Sequence, residues 1–449
     1  MGAPTFGTDG VRGAANTELT PDAALALGRA AVEVLGCSRF VIGRDPRQSG
    51  SMLEAALAAG VCSAGADAYF LGVVPTPAVA WVAGRDYIPG AMISASHNPF
   101  GDNGIKVFAA GGLKLDDTLE AKIEDRYLAL VGDPAGWVGP GGSSVGDIHE
   151  WHNEAEGWVD SVCSSTTADL TNVNVVLDCA NGASYELGPE VFRRLGVDLH
   201  VIGDQPSGVN INDGYGSTAP DLLSKTVVER GASLGLAFDG DADRLIAVDE
   251  TGAIVDGDRV LGILATDWKR RGQLTDDTVV VTVMTNLGFH RAMAEAEIKV
   301  VTTPVGDRAV LAALNEGGFS LGGEQSGHVI CREMATTGDG VLAGVQLLDV
   351  LTRAKRPLSS MTSQIMTTVP QLLENIRLAD RDDTLVDRMG PEIAEVEATF
   401  GSDGRVLVRA SGTEPLLRVM VEHIDPQVAS AATERLVKHA RRLVDTPHS

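Results

Sequence analysis

Short apolar runs alternate with small-residue helical stretches along most of this chain. Thr20-Pro21-Asp22 predicts a helix start, since threonine accepts from unpaired N–H groups and proline is preset for the first turn. The Ala/Leu pattern carries that helix to about Leu35. Residues 40–42 predict a buried strand, Gly43-Arg44-Asp45-Pro46 a turn, 49–64 a helix and 68–73 a second strand. Such alternation predicts an α/β domain with a largely parallel sheet. The Gly/Pro/Ser-rich stretch 131–146 predicts a boundary.

The pattern then restarts twice. Residues 173–177 form a strand pattern ending in Asp178-Cys179-Ala180-Asn181-Gly182, with a helix behind it to Leu195. Residues 278–284 form another, ending in Thr285-Asn286-Leu287-Gly288 before a helix. The strand 40–42 with its Gly-Arg-Asp turn reads as the first copy, so three similar mixed α/β units are expected. From Thr367 the pattern changes to a helix over 384–395, strands over 405–409 and 417–421, and a C-terminal amphipathic helix. That predicts a smaller α+β domain. The expected domains are 1–146, 147–250, 251–366 and 367–449.

Composition narrows the partners. A chain of 449 residues exceeds what one core supports. The net charge of −25 argues against nucleic acid or an anionic membrane as a general partner. Any phosphate site must therefore be a local basic pocket. No apolar run reaches membrane-spanning length, and no basic stretch followed by an apolar one opens the chain. Cysteines 37, 62, 163, 179 and 331 are scattered and lack CxxC spacing, which predicts reduced thiols and a cytoplasmic setting.

Against that background, several polar clusters carry chemistry. Ile93-Ser94-Ala95-Ser96-His97-Asn98-Pro99 presents a hydroxyl in a polar turn, with Lys106 close behind. Asp239-Gly240-Asp241-Ala242-Asp243-Arg244 follows the apolar strand 234–238, where α/β sheets place ligands. Like charges this close repel by about 4 kcal/mol per pair at 4 Å and an effective dielectric near 20, so they call for a divalent ion; Mg²⁺ suits phosphoryl transfer. An EF-hand reading of the same residues fails, because Arg244 stands where that loop requires glycine. The GxSxG match at 231–235 also fails, because its order is helix then strand. Gly323-Glu324-Gln325-Ser326-Gly327-His328 combines groups that suit sugar hydroxyls. Arg409-Ala410-Ser411-Gly412-Thr413-Glu414-Pro415, with Arg418 beyond, offers an N–H nest and guanidinium forks for phosphate. Arg12 is a further candidate for an active-site charge, and Val305-Gly306-Asp307-Arg308 is a similar turn left unassigned.

Taken in order with the opening Thr5-Phe6-Gly7-Thr8-Asp9-Gly10-Val11-Arg12-Gly13, these blocks resemble the α-D-phosphohexomutase superfamily. The opening block and the GEQSGH loop resemble its bacterial branch acting on glucosamine phosphates. The resemblance implies four domains around a central cleft, each lending one loop to the site. It implies interconversion of glucosamine 6-phosphate and glucosamine 1-phosphate toward UDP-N-acetylglucosamine and peptidoglycan. Ser96 would be the phosphoserine, and with Asp239, Asp241 and Asp243 it would hold one Mg²⁺. Lys106, His97 and Arg12 would assist proton transfer and charge. Arg244, Glu324, Ser326, His328, Arg409, Ser411, Gly412, Thr413 and Arg418 would bind substrate. The expected partner is a small hexosamine phosphate, with a homodimer admitted. A phosphomannomutase/phosphoglucomutase shares this chemistry and differs in sugar; a sugar-phosphate sensor without turnover is the reading from another class.

Overall fold

The apolar runs become strands of four sheets in the computed structural model, which describes residues 4–7, 10–378, 382, 384–410 and 416–445. Three sheets share one four-strand arrangement. In the first, Asp67–Val73, Arg39–Arg44, Gly90–Ile93 and Asp102–Ala109 lie side by side. The second repeats this with Asp198–Ile202, Asn174–Asp178, Leu234–Phe238 and Leu245–Asp249. The third does so with Lys299–Thr303, Thr278–Thr282, Leu321–Gly323 and Val329–Cys331. The strand that heads each copy in the sequence is flanked on both sides, which explains its continuous apolar run.

The expectation of largely parallel sheets needs a correction. In all three, the first three strands are parallel and the fourth is antiparallel. The cause is chain length. Connections 94–101, 239–244 and 324–328 are shorter than the dozen or so residues that a parallel crossover needs, so the chain must turn back as a hairpin. All three carry polar clusters singled out in the sequence. They therefore occupy one topological position repeated three times.

Local signals set the helices. Thr20 Oγ1 accepts from Ala23 N at the start of Pro21–Leu35, and left-handed Gly36 closes it. This helix packs closely on Gly50–Ser63 through Gly28 and Gly60; a Cβ on Gly60 would lie 2.2 Å from the Leu25 carbonyl oxygen.

The C-terminal sheet is antiparallel, in the order Gln371–Arg377, Leu416–His423, Gly404–Ala410. Its first strand escaped the sequence reading because only Ile376 along it is buried. Leu385–Phe400 and Pro426–Asp445 pack with Val408, Leu417, Val419 and Val421 into one apolar core. By compactness the chain forms two units, Met1–Thr282 with Ile298–Ser363, and Val283–Glu297 with Gln364–Ser449. The strand expected to reach residue 284 ends at Thr282, where the chain passes between units. No described helix is long and apolar enough to cross a membrane.

Candidate active site

The serine loop is built from beneath. Asp45, directly after the central strand Arg39–Arg44, is a fully buried carboxylate. Its Oδ2 accepts from Ser94 Oγ at 2.6 Å and from Arg47 Nε at 2.8 Å. Ser94 Oγ in turn accepts from Ser96 N at 2.9 Å. The buried Arg47 guanidinium donates to the carbonyls of Ser96 (2.9 Å), Asn98 (2.8 Å), Asp102 (3.1 Å) and Pro99. These bonds hold Ser96 at φ 52°, a left-handed conformation uncommon for a residue with a Cβ. Its hydroxyl then donates to Asp239 Oδ2 at 2.5 Å and stands 3.3 Å from His97 Nδ1.

The aspartate loop meets it from the second sheet. Ala242 turns left-handed at φ 58°, and one oxygen from each of Asp239, Asp241 and Asp243 falls within 4.8 Å of the others. A Cβ on Gly240 would lie 2.4 Å from the Ser96 carbonyl oxygen, so only glycine permits this approach. Lys106 Nζ, from strand Asp102–Ala109, donates to Asp241 Oδ2 at 2.8 Å and Asp243 Oδ2 at 2.9 Å. Thr76 Oγ1 donates to Asp241 Oδ2 at 2.6 Å. Burial and the neighbouring Asp243 and Asp241 push the Asp239 carboxyl well above its ordinary range. Burial pushes Asp243 upward too, but Lys106, His328 and Arg244 outweigh it and hold Asp243 well below. Asp241 Oδ1 and Asp243 Oδ1 are buried without a hydrogen-bond partner among the described residues. Buried acceptors without a hydrogen bond in a three-carboxylate cluster fit a hard divalent cation.

The third loop divides its residues between surface and interior. Ser326 is exposed and Glu324 half-buried, its Oε1 accepting from Gly306 N at 3.1 Å. Left-handed Gly327 lets its carbonyl accept from Leu245 N at 2.9 Å, fastening this loop to the end of the aspartate loop. His328 is buried, with Nδ1 3.8 Å from Asp243 Oδ1 and Nε2 3.5 Å from Asp307 Oδ2. Burial lowers its pKa, but Asp243 and Asp307 outweigh that and raise it. His328 thus sits between Asp243 and Asp307 beneath its loop. The turn left unassigned contributes here, since Asp307 also pairs with Lys114, and Arg308 pairs with Asp117 at 2.8 Å and with Glu120.

Arg12 lies on Gly10–Ala14 opposite Gly104. Burial, Arg244 and Arg12 together push His97 down to about 4, keeping it neutral. Arg244 Nε, 3.8 Å from Asp243 Oδ1, is buried without a hydrogen-bond partner among the described residues, as suits a guanidinium awaiting an anion. In the C-terminal sheet Arg409 and Arg418 are directly opposite each other on adjacent strands. Arg418 Nε is likewise buried without a hydrogen-bond partner among the described residues, and burial with the Arg418 charge lowers the Arg409 pKa. Ser411, Gly412 and Thr413 lie outside the described residues.

Comparison with known proteins shows the family to which the chain belongs. The chain matches four phosphoglucomutase/phosphomannomutase domains: α/β/α domain I over residues 3–130, domain II over 156–252, domain III over 256–369 and the C-terminal domain over 372–439. It is 49% identical over 444 residues to a phosphoglucosamine mutase of Desulforudis audaxviator, covering 98% of each chain. A phosphoglucosamine mutase of Clavibacter michiganensis is 50% identical over 434 residues, covering 96% of this chain and 97% of that one. The chain belongs to this family, in its phosphoglucosamine mutase branch. Among solved structures, a phosphoglucomutase/phosphomannomutase family protein of Burkholderia thailandensis superposes with a TM-score of 0.82 at 24% identity, covering 100% of both chains. An N-acetylphosphoglucosamine mutase of Aspergillus fumigatus, in complex with GlcNAc-6P and magnesium, shares the fold with a TM-score of 0.70 at 17% identity. It covers 99% of this chain and 96% of that one.

Within this mutase fold, sequence reading missed the supports. Asp45 reads as a turn residue, and no motif in the sequence singles out Arg47, Thr76 or Asn212. One signal was available for Asp45, which closes the central strand of a copy at the end where α/β folds collect functional groups.

Proposed function

We propose that the chain interconverts glucosamine 6-phosphate and glucosamine 1-phosphate through a phosphorylated Ser96 and a bisphosphorylated sugar. The observation that carries this is the Ser96 hydroxyl, strained into place 2.5 Å from Asp239 and facing a carboxylate cluster with Lys106 across it. In the first half-reaction the phosphorus–Oγ bond of phosphoserine 96 breaks as a bond from phosphorus to the free sugar hydroxyl forms. The hydroxyl proton passes to a base, and Ser96 Oγ is left to be reprotonated. The second half-reaction reverses this with the other phosphoryl group of the bisphosphate, so Ser96 is recharged and the phosphate has changed position. Asp239, Asp241, Asp243 and the phosphorylated Ser96 would hold a Mg²⁺ ion, which would supply charge neutralisation for the transfer.

The chain's own residues do the rest. Lys106 adds positive charge beside the transferred group, Arg12 and Arg244 flank His97, and neutral His97 can accept a proton near Oγ. Glu324 and Ser326 take sugar hydroxyls, while His328 holds the aspartate loop in register. Arg409 and Arg418, with the 411–413 segment, clamp the phosphate that is not reacting. The partner is a small hexosamine phosphate and the setting the cytoplasm.

Intact-mass and peptide mapping of active protein should place one phosphate on Ser96, and Ser96→Ala should lower kcat by more than about 100-fold. Active protein phosphorylated elsewhere, or Ser96→Ala at full rate, refutes the carrier role. Rates with glucosamine 6-phosphate, glucose 1-phosphate and mannose 1-phosphate side by side test the sugar.

A further inference from the structure

Two side chains from connections of different domains donate to the same two carbonyls of the serine loop. Arg47 reaches Ser96 O and Asn98 O at 2.9 and 2.8 Å. Asn212 Nδ2 reaches them at 2.8 and 3.1 Å. Arg47 belongs to the serine loop's own domain and is fixed by Asp45. Asn212 belongs to the second domain, in the connection between strand Asp198–Ile202 and helix Asp221–Arg230.

That connection is fastened to the base of the aspartate loop. Asn212 N donates to Ala180 O at 2.9 Å, and Ser217 N to Phe238 O at 2.8 Å, one residue before Asp239. Gly216 N donates to the buried carboxylate of Asp178 at 2.7 Å. A Cβ on Gly240 would lie 3.0 Å from Asn212 Nδ2 as well as 2.4 Å from Ser96 O, so amide, glycine and serine carbonyl form one packed contact.

We propose that Asn212 is a positioning residue for the phosphoryl transfer. Its amide ties the serine loop to the domain that carries Asp239, Asp241 and Asp243, and so sets where Ser96 Oγ stands relative to the carboxylates. The proposal rests on reading Ser96 as the phosphoryl carrier. Arg47 shapes the loop internally, whereas Asn212 registers it across the domain boundary. A misplacement of about 1 Å at a reacting centre can lower the rate by about 100-fold, while one lost hydrogen bond changes stability little.

Asn212 itself has φ 60°, which glycine adopts freely, so Asn212→Gly deletes the amide without straining the backbone. Asn212→Asp keeps the shape and replaces the donor by a carboxylate facing two carbonyls. For both variants we expect kcat to fall about tenfold or more, with KM for glucosamine 1-phosphate within about twofold of wild type. Dephosphorylated variant given a hexose 1,6-bisphosphate should also acquire phosphate on Ser96 about tenfold more slowly by intact mass. In that step the sugar oxygen–phosphorus bond breaks, the Oγ–phosphorus bond forms and the Oγ proton passes to the sugar oxygen. Unchanged kcat and uptake overturn the proposal. So does a raised KM at wild-type kcat, which would make Asn212 a substrate contact, or a rate loss that follows thermal destabilisation and vanishes on cooling. Wild-type protein that takes no phosphate on Ser96 brings down the carrier reading and this proposal with it. Wild-type uptake matched by the variants brings down this proposal alone.

Discussion

Lys106 shows how much of the site depends on single side chains. It is buried, and its ammonium meets Asp241 and Asp243 in a region where an unpaired carboxylate is costly. Removing it by Lys106→Met leaves two more carboxylate oxygens without that cation, at a cost of about 3–5 kcal/mol. The same change removes a competitor for a metal ion at those oxygens. The melting temperature of Lys106→Met should therefore lie below wild type without Mg²⁺ and rise more steeply as Mg²⁺ is added, while kcat stays at least about 100-fold down. Equal Mg²⁺ responses in a thermal melt would count against shared carboxylates. Lys106 and the aspartates were legible in the sequence because their chemistry sits in contiguous polar blocks. Arg47 and Asn212 were not, because their targets lie 49 and 116 residues away. Only the fold makes them neighbours.

At the level of elements, three hairpin connections at one topological position carry the polar clusters, and glycines set how closely they meet. Gly240 faces the Ser96 carbonyl, and Gly327 at φ 94° faces the Leu245 carbonyl. In Gly240→Ala the new methyl would meet rigid backbone, so the serine and aspartate loops must part. We expect a loss of about 1–3 kcal/mol from overpacking, with a fall in kcat larger than that of a stability-matched core variant such as Leu57→Val. Chemical denaturation and steady-state kinetics on the two variants would separate these effects. The central strands and the helix start at Thr20 were readable from local pattern. The antiparallel fourth strand follows from connection length, and the exposed strand Gln371–Arg377 carries too little apolar alternation to announce itself.

For the whole molecule, the C-terminal compact unit takes in a segment of the third α/β repeat, residues 283–297. The helix Leu287–Glu295 follows the third sheet's central strand, yet it belongs to the C-terminal unit. There Asn286 Nδ2 donates to Val369 O and to the buried Glu422, each at 2.9 Å, and Glu422 also pairs with Arg405. His290, on the same helix, gives this unit a pH dependence. Burial and then the Arg405 charge push its imidazole down to about 4, and its Nε2 is buried without a hydrogen-bond partner among the described residues. The unfolded chain takes up a proton at this residue as pH falls through about 6.5, whereas the folded chain does so only near 4. Stability from His290 is thus complete above about 6.5 and lost as pH falls toward 4. Asp178 and Asp339, raised by burial to about 6, act oppositely, since their contribution is lost as pH rises from about 4 to 6. The wild-type curve therefore mixes both signs, and the difference between wild type and His290→Gln isolates one. That difference should shift by about 1–2 kcal/mol between pH 7 and pH 4.5, discounted for partial exposure, with the variant relatively more stable in acid. Denaturant midpoints at the two pH values measure it, and parallel curves would mean that His290 titrates normally in the folded protein.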